Sequence, residues 1–315
     1  MKKNSLLMIF SLVSILTVSL WLTACEEETT MEPPAPTVIA PPTSIGAYSA
    51  NETSVGVVWT DSPDEANTAV LNPAYRINVK DMTGTVLQSL TGIKGDNIKV
   101  VTGLTEGTIY TFTISMMVDS TVVTNDSVTV MWSPAKRRDL EGSAPIQVFE
   151  TSSEDFPSGL DIYSDALDGP QTLSLTGIDN LLIDLFVYTD TTSQDLIIRS
   201  AHLSTVILPS GKITFFSSIV DSADELDFGR ATPPDASTYD RSAVTIPSGA
   251  GQTAGRIIYG KTEENNYFRL LVVRDGTTLV WGVSDDRYLT FKISYQSVEG
   301  VPYARPVNSE RLRND

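Results

Sequence analysis

Hydrophobic and polar residues alternate with a period of two in several short segments after Ser44. The clearest runs cover residues 55–59, 75–79 and 110–116, in which every second side chain is apolar or aromatic. Turn-forming stretches such as Asp61-Ser62-Pro63-Asp64 separate these runs. Because a side-chain period of two is typical of half-buried strands, the pattern predicts an antiparallel β-sandwich over residues 44–133.

Strand patterns resume in residues 146–303, after a break that is rich in charge. Residues 134–145 begin with Pro134 and include Lys136-Arg137-Arg138, a composition typical of an exposed interdomain linker. Beyond this segment, residues 267–273 and 288–295 again read as strands. We therefore predict an all-β chain with a second, larger domain of β-sandwich or jelly-roll type, followed by a tail over residues 304–315.

The first 43 residues carry no strand pattern and divide into two parts. Two lysines precede an apolar stretch over residues 6–22, and small residues follow it. A basic start, an apolar centre and small residues at the end are the properties of an export signal. Residues 26–28 are three glutamates, and residues 29–42 contain five prolines, which make the chain a stiff, extended spacer.

The end of the apolar stretch, Leu22-Thr23-Ala24-Cys25, resembles the lipobox of bacterial lipoproteins. The resemblance implies that residues 1–24 are a signal peptide and that Cys25 is acylated, with palmitate among its chains. Residues 25–43 then form a lipidated stalk, and the membrane becomes a partner through the lipid anchor. The alternative is an uncleaved membrane anchor, because about 18 apolar residues can span a bilayer.

The residue after Cys25 bears on location. In lipoproteins of this kind an aspartate there often signals inner-membrane retention, and this chain has Glu26. The resemblance therefore implies the bacterial outer membrane. The three glutamates also resemble surface-export tethers of some lineages, so cell-surface and periplasmic orientations both stay open.

Four residues of the first predicted domain resemble core positions of fibronectin type III domains. They are Trp59, Tyr75, Leu104 and Tyr110, the last two within Leu104-Thr105-Glu106-Gly107-Thr108-Ile109-Tyr110. The resemblance implies that Trp59 fills the centre of the core. It also implies a tyrosine corner, in which the Tyr110 hydroxyl bonds to backbone near Leu104.

Composition and charge exclude several classes of function. The 315 residues carry a formal charge of −17, without the basic surface that nucleic-acid binding needs. One cysteine and one histidine exclude an intrachain disulfide, a multi-cysteine zinc site and any site with two imidazoles. The sequence also lacks the Gly-x-Ser-x-Gly, His-Glu-x-x-His and phosphate-loop motifs. We therefore expect no enzyme, no cofactor and no metal site.

Acidic groups fall close together at two places in the second predicted domain. One set lies within residues 221–227, and the other comprises Asp161, Asp165 and Asp168. Calcium takes six to eight oxygen ligands, but neither set has the spacing of a calcium loop with its bidentate glutamate. Solvated loops are therefore the preferred interpretation of both sets.

The end of the second domain is similar to the closing strands of HmuY-type haem-binding surface lipoproteins. The similarity concerns residues 259–267 and 288–296, and it implies haem binding. However, the domain contains no methionine and has His202 as its only histidine, so two strong axial ligands are missing. The candidates for a carbohydrate or protein contact face are Tyr239, Tyr267, Trp281 and Tyr288, although burial in the core is the preferred interpretation of these four residues.

Together these features predict a lipid-anchored envelope or surface protein that acts as a non-catalytic binding or adhesion module. Its ligand is a protein or a glycan that the sequence does not identify. The alternative is a structural accessory subunit of an envelope assembly, in which both domains serve as scaffold. Haem or carbohydrate binding by the C-terminal domain is a further alternative.

Overall fold

A computed structural model describes residues 39–68, 70–119, 121–122, 127–138, 146–206, 211–221, 234 and 236–302. Residues 1–38, including the lipobox and Cys25, and residues 303–315 lie outside this described part. Within the described part the chain forms strands and three single-turn 3-10 helices. None of the helices found there is long and apolar enough to cross a membrane.

The first eight strands form two antiparallel sheets. They are β1 (Ser44–Asn51), β2 (Ser54–Thr60), β3 (Pro73–Lys80), β4 (Val86–Ile93), β5 (Ile98–Val101), β6 (Tyr110–Val118), β7 (Thr121–Val122) and β8 (Val128–Trp132). One sheet has the order β1-β2-β5, and the other has the order β4-β3-β6-β7, with β8 also paired to β6. This strand order is that of a fibronectin type III-like sandwich.

The apolar side of each alternating run faces the opposite sheet. Tyr75, Ile77 and Val79 of β3 are fully buried, as are Phe112 and Ile114 of β6. At the centre, the Trp59 and Tyr75 rings lie 5.5 Å apart between centroids. Burial of these large side chains, each contributing about 1.5–3 kcal/mol, stabilises the first sandwich.

The remaining strands form a larger sandwich of two sheets. Those before the first 3-10 helix are β9 (Lys136–Arg138), β10 (Ile146–Phe149), β11 (Gly159–Ser164) and β12 (Gly169–Leu173). The later ones are β13 (Leu185–Thr189), β14 (Leu196–Ser200), β15 (Thr214–Phe216), β16 (Val220–Asp221), β17 (Ala243–Ile246), β18 (Arg256–Thr262), β19 (Tyr267–Val272) and β20 (Tyr288–Tyr295). The 3-10 helices are η1 (Asn180–Leu182), η2 (Ala201–Leu203) and η3 (Ala236–Thr238).

The two sheets of this second sandwich enclose a separate core. One sheet has the order β10-β20-β19-β18-β15, with β9 paired to β20 and β16 to β18; the other is β12-β11-β13-β14-β17. Between them pack apolar side chains such as Leu160, Val187, Ile198, Leu270 and Phe291. The predicted fold class, a fibronectin type III-like sandwich followed by a larger β-sandwich, is confirmed.

The outer face of the seven-stranded sheet packs against the first sandwich. Ile257, Tyr259, Tyr267 and Leu271 on this face belong to the same apolar cluster as Trp132 of β8. Arg269 is 1% exposed and has its guanidinium 5.5 Å from the Trp132 ring and 5.9 Å from the Tyr259 ring. Both faces of this sheet are therefore buried.

Hydrogen bonds between side chains and backbone reinforce the packing of the two sandwiches. Gln296 is fully buried, and its Nε2 donates to the Pro134 carbonyl at 3.0 Å. The Ser297 backbone N–H donates to Glu106 of the first sandwich at 3.2 Å. Lys136–Arg138, within the segment that we expected as an exposed linker, is instead strand β9 of the seven-stranded sheet. The chain passes from one sandwich to the other as part of a sheet.

Candidate functional site

Four aromatic side chains form a continuous row at one end of the second sandwich. The Phe156 and Phe149 rings are stacked, with centroids 4.3 Å apart and planes at 18°. Tyr288 follows at 4.7 Å from Phe149, and Trp281 follows at 6.0 Å from Tyr288. Phe156 is 47% exposed, Tyr288 and Trp281 are half-buried, and Phe149 forms the buried base.

Strand pairing places these rings side by side. Phe149 of β10 lies directly opposite Tyr288 of β20 in the antiparallel register. Trp281 and Tyr288 exchange backbone hydrogen bonds of 3.0 Å in both directions, and the Trp281 indole N–H donates to the Val273 carbonyl at 3.0 Å. The Phe149 N–H bonds to the Pro157 carbonyl at 3.0 Å, which holds the loop carrying Phe156 over the strand. These backbone contacts hold the strands and the loop that carry the row.

A buried ion pair lies directly beside the row. Glu150, which follows Phe149, is 2% exposed and accepts from Arg287 Nε at 3.2 Å and Nη2 at 3.1 Å. Arg287 precedes Tyr288 and also donates to Thr189 Oγ1 at 2.8 Å and to the Gln194 carbonyl at 2.9 Å. Burial raises the pKa of Glu150, but the hydrogen bonds from Arg287 and Thr189 outweigh it and hold that pKa below the ordinary value.

A groove of about 400 Å³ runs past the Phe149–Phe156 pair between β10 and β12. Its walls include Ile146, Pro157 and Pro170, and its polar groups come from Gln147, Gln171 and Thr172. Aromatic walls with a few amide and hydroxyl groups are typical of small-molecule binding sites. The arrangement offers stacking surfaces and neutral hydrogen-bonding groups.

The structure brings together two of the four aromatic candidates from the sequence. Trp281 and Tyr288 belong to the row, but Tyr239 and Tyr267 are 8% and 5% exposed and contact each other between the two sandwiches. The contact-face hypothesis is therefore wrong for Tyr239 and Tyr267, because the first sandwich covers them. Sequence reasoning missed Phe149 and Phe156, which lie more than 120 residues from Trp281 and carry no local motif.

The four fibronectin-like positions all lie in the first sandwich. Trp59, Tyr75, Leu104 and Tyr110 are buried, at 5%, 0%, 5% and 6% exposure. The Thr105 backbone N–H donates to the Tyr110 hydroxyl at 3.1 Å, which is the contact expected of a tyrosine corner. The Tyr75 hydroxyl donates to the Glu65 carboxylate and accepts from the Ser62 N–H at 3.0 Å.

His202, Asp161 and Asp168 make separate contacts. Strand β14 ends at Ser200, and His202 lies in η2 with its Nδ1 2.7 Å from Ser200 Oγ. Asp168 pairs with Lys136 at 2.5 Å, whereas Asp161 is buried on β11. In the described ranges no three acidic, histidine or cysteine side chains group closely enough to hold a metal. Residues 222–227 of the other acidic set lie outside these ranges.

No protein-family model and no curated protein matches the chain. Among solved structures it is similar to the FN5 domain of Drosophila Lar, with 19% sequence identity and a TM-score of 0.24 over 31% of this chain and 98% of that one. It is also similar to the fn3 domain of human collagen alpha-1(XX) chain, with 16% identity and a TM-score of 0.26 over 34% of this chain and 96% of that one. Each likeness covers about a third of the chain, and the assignment of a fibronectin type III-like sandwich rests on the strand order described above.

Proposed function

We propose that the protein is a lipid-anchored, non-catalytic binding module of the bacterial outer membrane that captures a carbohydrate ligand. The observation that carries the ligand class is the stacked Phe149–Phe156 pair at the open groove. The location rests on the lipobox residues 22–25 and on the proline-rich stalk that follows them. Acyl chains on Cys25 then hold the two sandwiches at the membrane.

The chemistry of the groove suits a sugar better than a charged ligand. The C–H faces of sugar rings are apolar and pack against exposed aromatic rings, whereas their hydroxyls need hydrogen-bonding groups at the edge. Phe156 supplies the exposed ring, and Gln147, Gln171 and Thr172 supply amide and hydroxyl groups. Tyr288 and Trp281 extend the aromatic row beyond the groove, so a chain of several sugar units has room to contact it.

A glycan array probed with the full-length protein tests this ligand class. We expect wild-type protein to bind a defined set of glycans and Phe156→Ala to lose that binding, because the exposed stacking surface disappears. Leu167→Ala is the matched control, since Leu167 is 61% exposed in the same sandwich and is not part of the row. Carbohydrate capture is contradicted if the wild-type protein binds no glycan on the array or if Phe156→Ala binds as the wild type does.

The anchor is tested separately by growth of the source bacterium with labelled palmitate. We expect the label on wild-type protein and none on Cys25→Ala, since Cys25 is the only cysteine in the chain. Mass spectrometry of the native N-terminus provides the second measurement. A free thiol at Cys25, or a retained leader, contradicts the lipid anchor.

An exposed apolar surface on the first sandwich favours the alternative function of a scaffold subunit. The edge strands β4 and β5 expose Val86, Leu87, Ile93, Ile98 and Val100 by 41–66%. Edge strands with exposed apolar side chains are candidate contact sites for another protein chain. Cross-linking in intact envelopes separates the two functions, because a scaffold loses its cross-linked partner in Ile93→Asp and keeps it in Phe156→Ala.

A further inference from the structure

A second cavity, of about 260 Å³, opens on the second sandwich away from the aromatic row. Its wall includes the side chains of Asp184, Lys212, Asn266 and Glu264 and the two rings of Tyr163 and Tyr295. The rings are stacked on each other, with centroids 4.7 Å apart and planes at 9°. This combination of acidic and aromatic walls differs from the neutral groove beside Phe156.

Asp184 contributes a buried and incompletely satisfied carboxylate to this cavity. The residue is 3% exposed, and its Oδ2 accepts from the Ile162 backbone N–H at 2.8 Å. Its Oδ1 is buried and accepts no hydrogen bond from the described residues. Lys212 Nζ forms an ion pair with that oxygen at 3.4 Å. A buried oxygen without a hydrogen-bond donor is unfavourable, and more so when it is charged.

Lys212 is shared between two carboxylates. Its Nζ also lies 3.9 Å from Asp161 Oδ1, which is likewise buried and accepts no hydrogen bond from the described residues. Glu264 also acts on Lys212, so three carboxyl groups lie around one ammonium group, and Asp165 lines the same cavity. Burial is the largest cause that raises the pKa of Asp184, to about 7. The existing cation therefore leaves negative charge uncompensated.

The other groups of the cavity wall are acceptors and aromatic rings. Asn266 Nδ2 donates to the carbonyls of Gln296 and Ser297 at 3.1 and 3.0 Å, so its amide oxygen is left as an acceptor. Thr262 Oγ1 accepts from the Asn266 backbone N–H at 3.3 Å. Tyrosine rings attract cations through their electron-rich faces. Acceptors and ring faces together match a ligand that carries only donors and a positive charge.

We propose that this cavity binds a small organic cation, a protonated primary amine, with Asp184 as the group that contacts its ammonium. An ammonium group carries three donors and no acceptor, which suits Asp184 Oδ1 and the Asn266 oxygen. A divalent metal fits less well, since the described residues offer no cluster of three ligands. The site shares no residue with the aromatic row and goes beyond the proposed capture of carbohydrate.

Isothermal titration of the full-length protein in detergent with 1,4-diaminobutane tests the site, and 1,4-butanediol is the neutral probe of the same length. We expect the diamine to bind with a Kd below about 1 mM and the diol to give no measurable binding. Asp184→Asn keeps the side-chain shape, and we expect it to weaken the binding of the diamine by about 10-fold or more. Asp179→Asn, at an exposed aspartate that caps no helix with its side chain, is the control.

Any one of three results overturns the proposal. They are equal affinity for the diamine and the diol, unchanged diamine affinity in Asp184→Asn, and binding of calcium ions in place of the diamine. Should Asp184→Asn fold poorly, the exposed Glu264→Gln provides a second variant, and we expect it to weaken the diamine as well. Phe156→Ala keeps diamine binding if the cavity acts alone. This result distinguishes failure of the cation site from failure of carbohydrate capture.

The pH dependence supplies an independent readout. Deprotonation of Asp184 near pH 7 charges the site, so diamine affinity should rise between pH 6 and 8. The charged groups that act on Asp184 are Asp161, Glu264 and Lys212, and Asp165, Tyr163 and Tyr295 line the same cavity. A flat affinity across this range contradicts the role of Asp184.

Discussion

Removal of the Arg287 side chain tests how the aromatic row is held in place. Arg287 gives two hydrogen bonds to the Glu150 carboxylate, one to Thr189 and one to the Gln194 carbonyl. Arg287→Ala leaves the Glu150 charge buried without its partner. Loss of one partner of a buried ion pair costs about 3–5 kcal/mol, far more than loss of an exposed one. We expect a fall in the free energy of unfolding of this size at pH 7.

Urea denaturation at a series of pH values measures the effect. In the wild-type protein the Glu150 pKa is lowered, so its stabilising contribution is present above the ordinary value near 4.5 and is lost as the pH falls through the folded value. In Arg287→Ala, burial without the guanidinium raises that pKa. The difference in the free energy of unfolding between wild type and Arg287→Ala should therefore be largest near pH 7. It should shrink as Glu150 becomes protonated below about pH 5.

Two matched variants complete this experiment. Glu150→Gln combined with Arg287→Ala should cost less than the sum of the single changes, since the double variant leaves no buried charge. Arg274→Ala, at an exposed arginine with one bond to a carbonyl, should change stability by less than about 0.5 kcal/mol. A loss below about 1 kcal/mol in Arg287→Ala, or a deficit independent of pH, refutes the role assigned to this ion pair. Glycan binding should weaken in Arg287→Ala as the row loses its support.

Three further predictions concern other parts of the molecule. Asp184 has a pKa raised from its ordinary value near 3.8 to about 7, so its stabilising contribution is complete below the ordinary value and is lost as the pH rises through the folded one. Asp184→Asn should therefore gain stability relative to wild type between pH 4 and 8, by up to about 4 kcal/mol in urea titrations, and a constant difference contradicts this. Tyr110→Phe removes the bond from the Thr105 N–H and should cost about 1 kcal/mol by the same assay, whereas no loss argues against a tyrosine corner. Leu271→Asp places a charge between the sandwiches, so calorimetry should resolve two transitions where the wild type has one; Leu167→Asp is the exposed control.

The strands that the sequence predicted best are those with long, uninterrupted alternation. The pattern over residues 288–295 coincides with β20, because Leu289, Phe291 and Ile293 all face the core of the second sandwich. The same pattern suggests that Lys292 and Thr290 face solvent, yet both are 2% exposed. Lys292 lies opposite Leu271 of β19, which packs against the first sandwich, and no local sequence pattern reports such a neighbour.

Only part of the candidate site could be predicted from the sequence, because strand pairing brings distant residues together. Tyr288 and Trp281 stand close together in the chain, and their aromatic character alone made them candidates. Phe149 joins them through the pairing of β10 with β20, a contact between residues more than 130 positions apart. Asp184 lies within an otherwise apolar segment, and its contacts depend on Lys212 from a distant loop, which no local sequence pattern reports.

Each of the two sandwiches covers apolar side chains of the other, so neither is expected to stay soluble when it is separated. Domains that few contacts connect to their neighbours are able to fold alone. Here a fragment of residues 146–302 alone would present Ile257, Tyr259 and Leu271 to water and would be prone to aggregate. We therefore expect gene fusions that contain only one of the two sandwiches to yield insoluble protein. We also expect the two sandwiches to be inherited together.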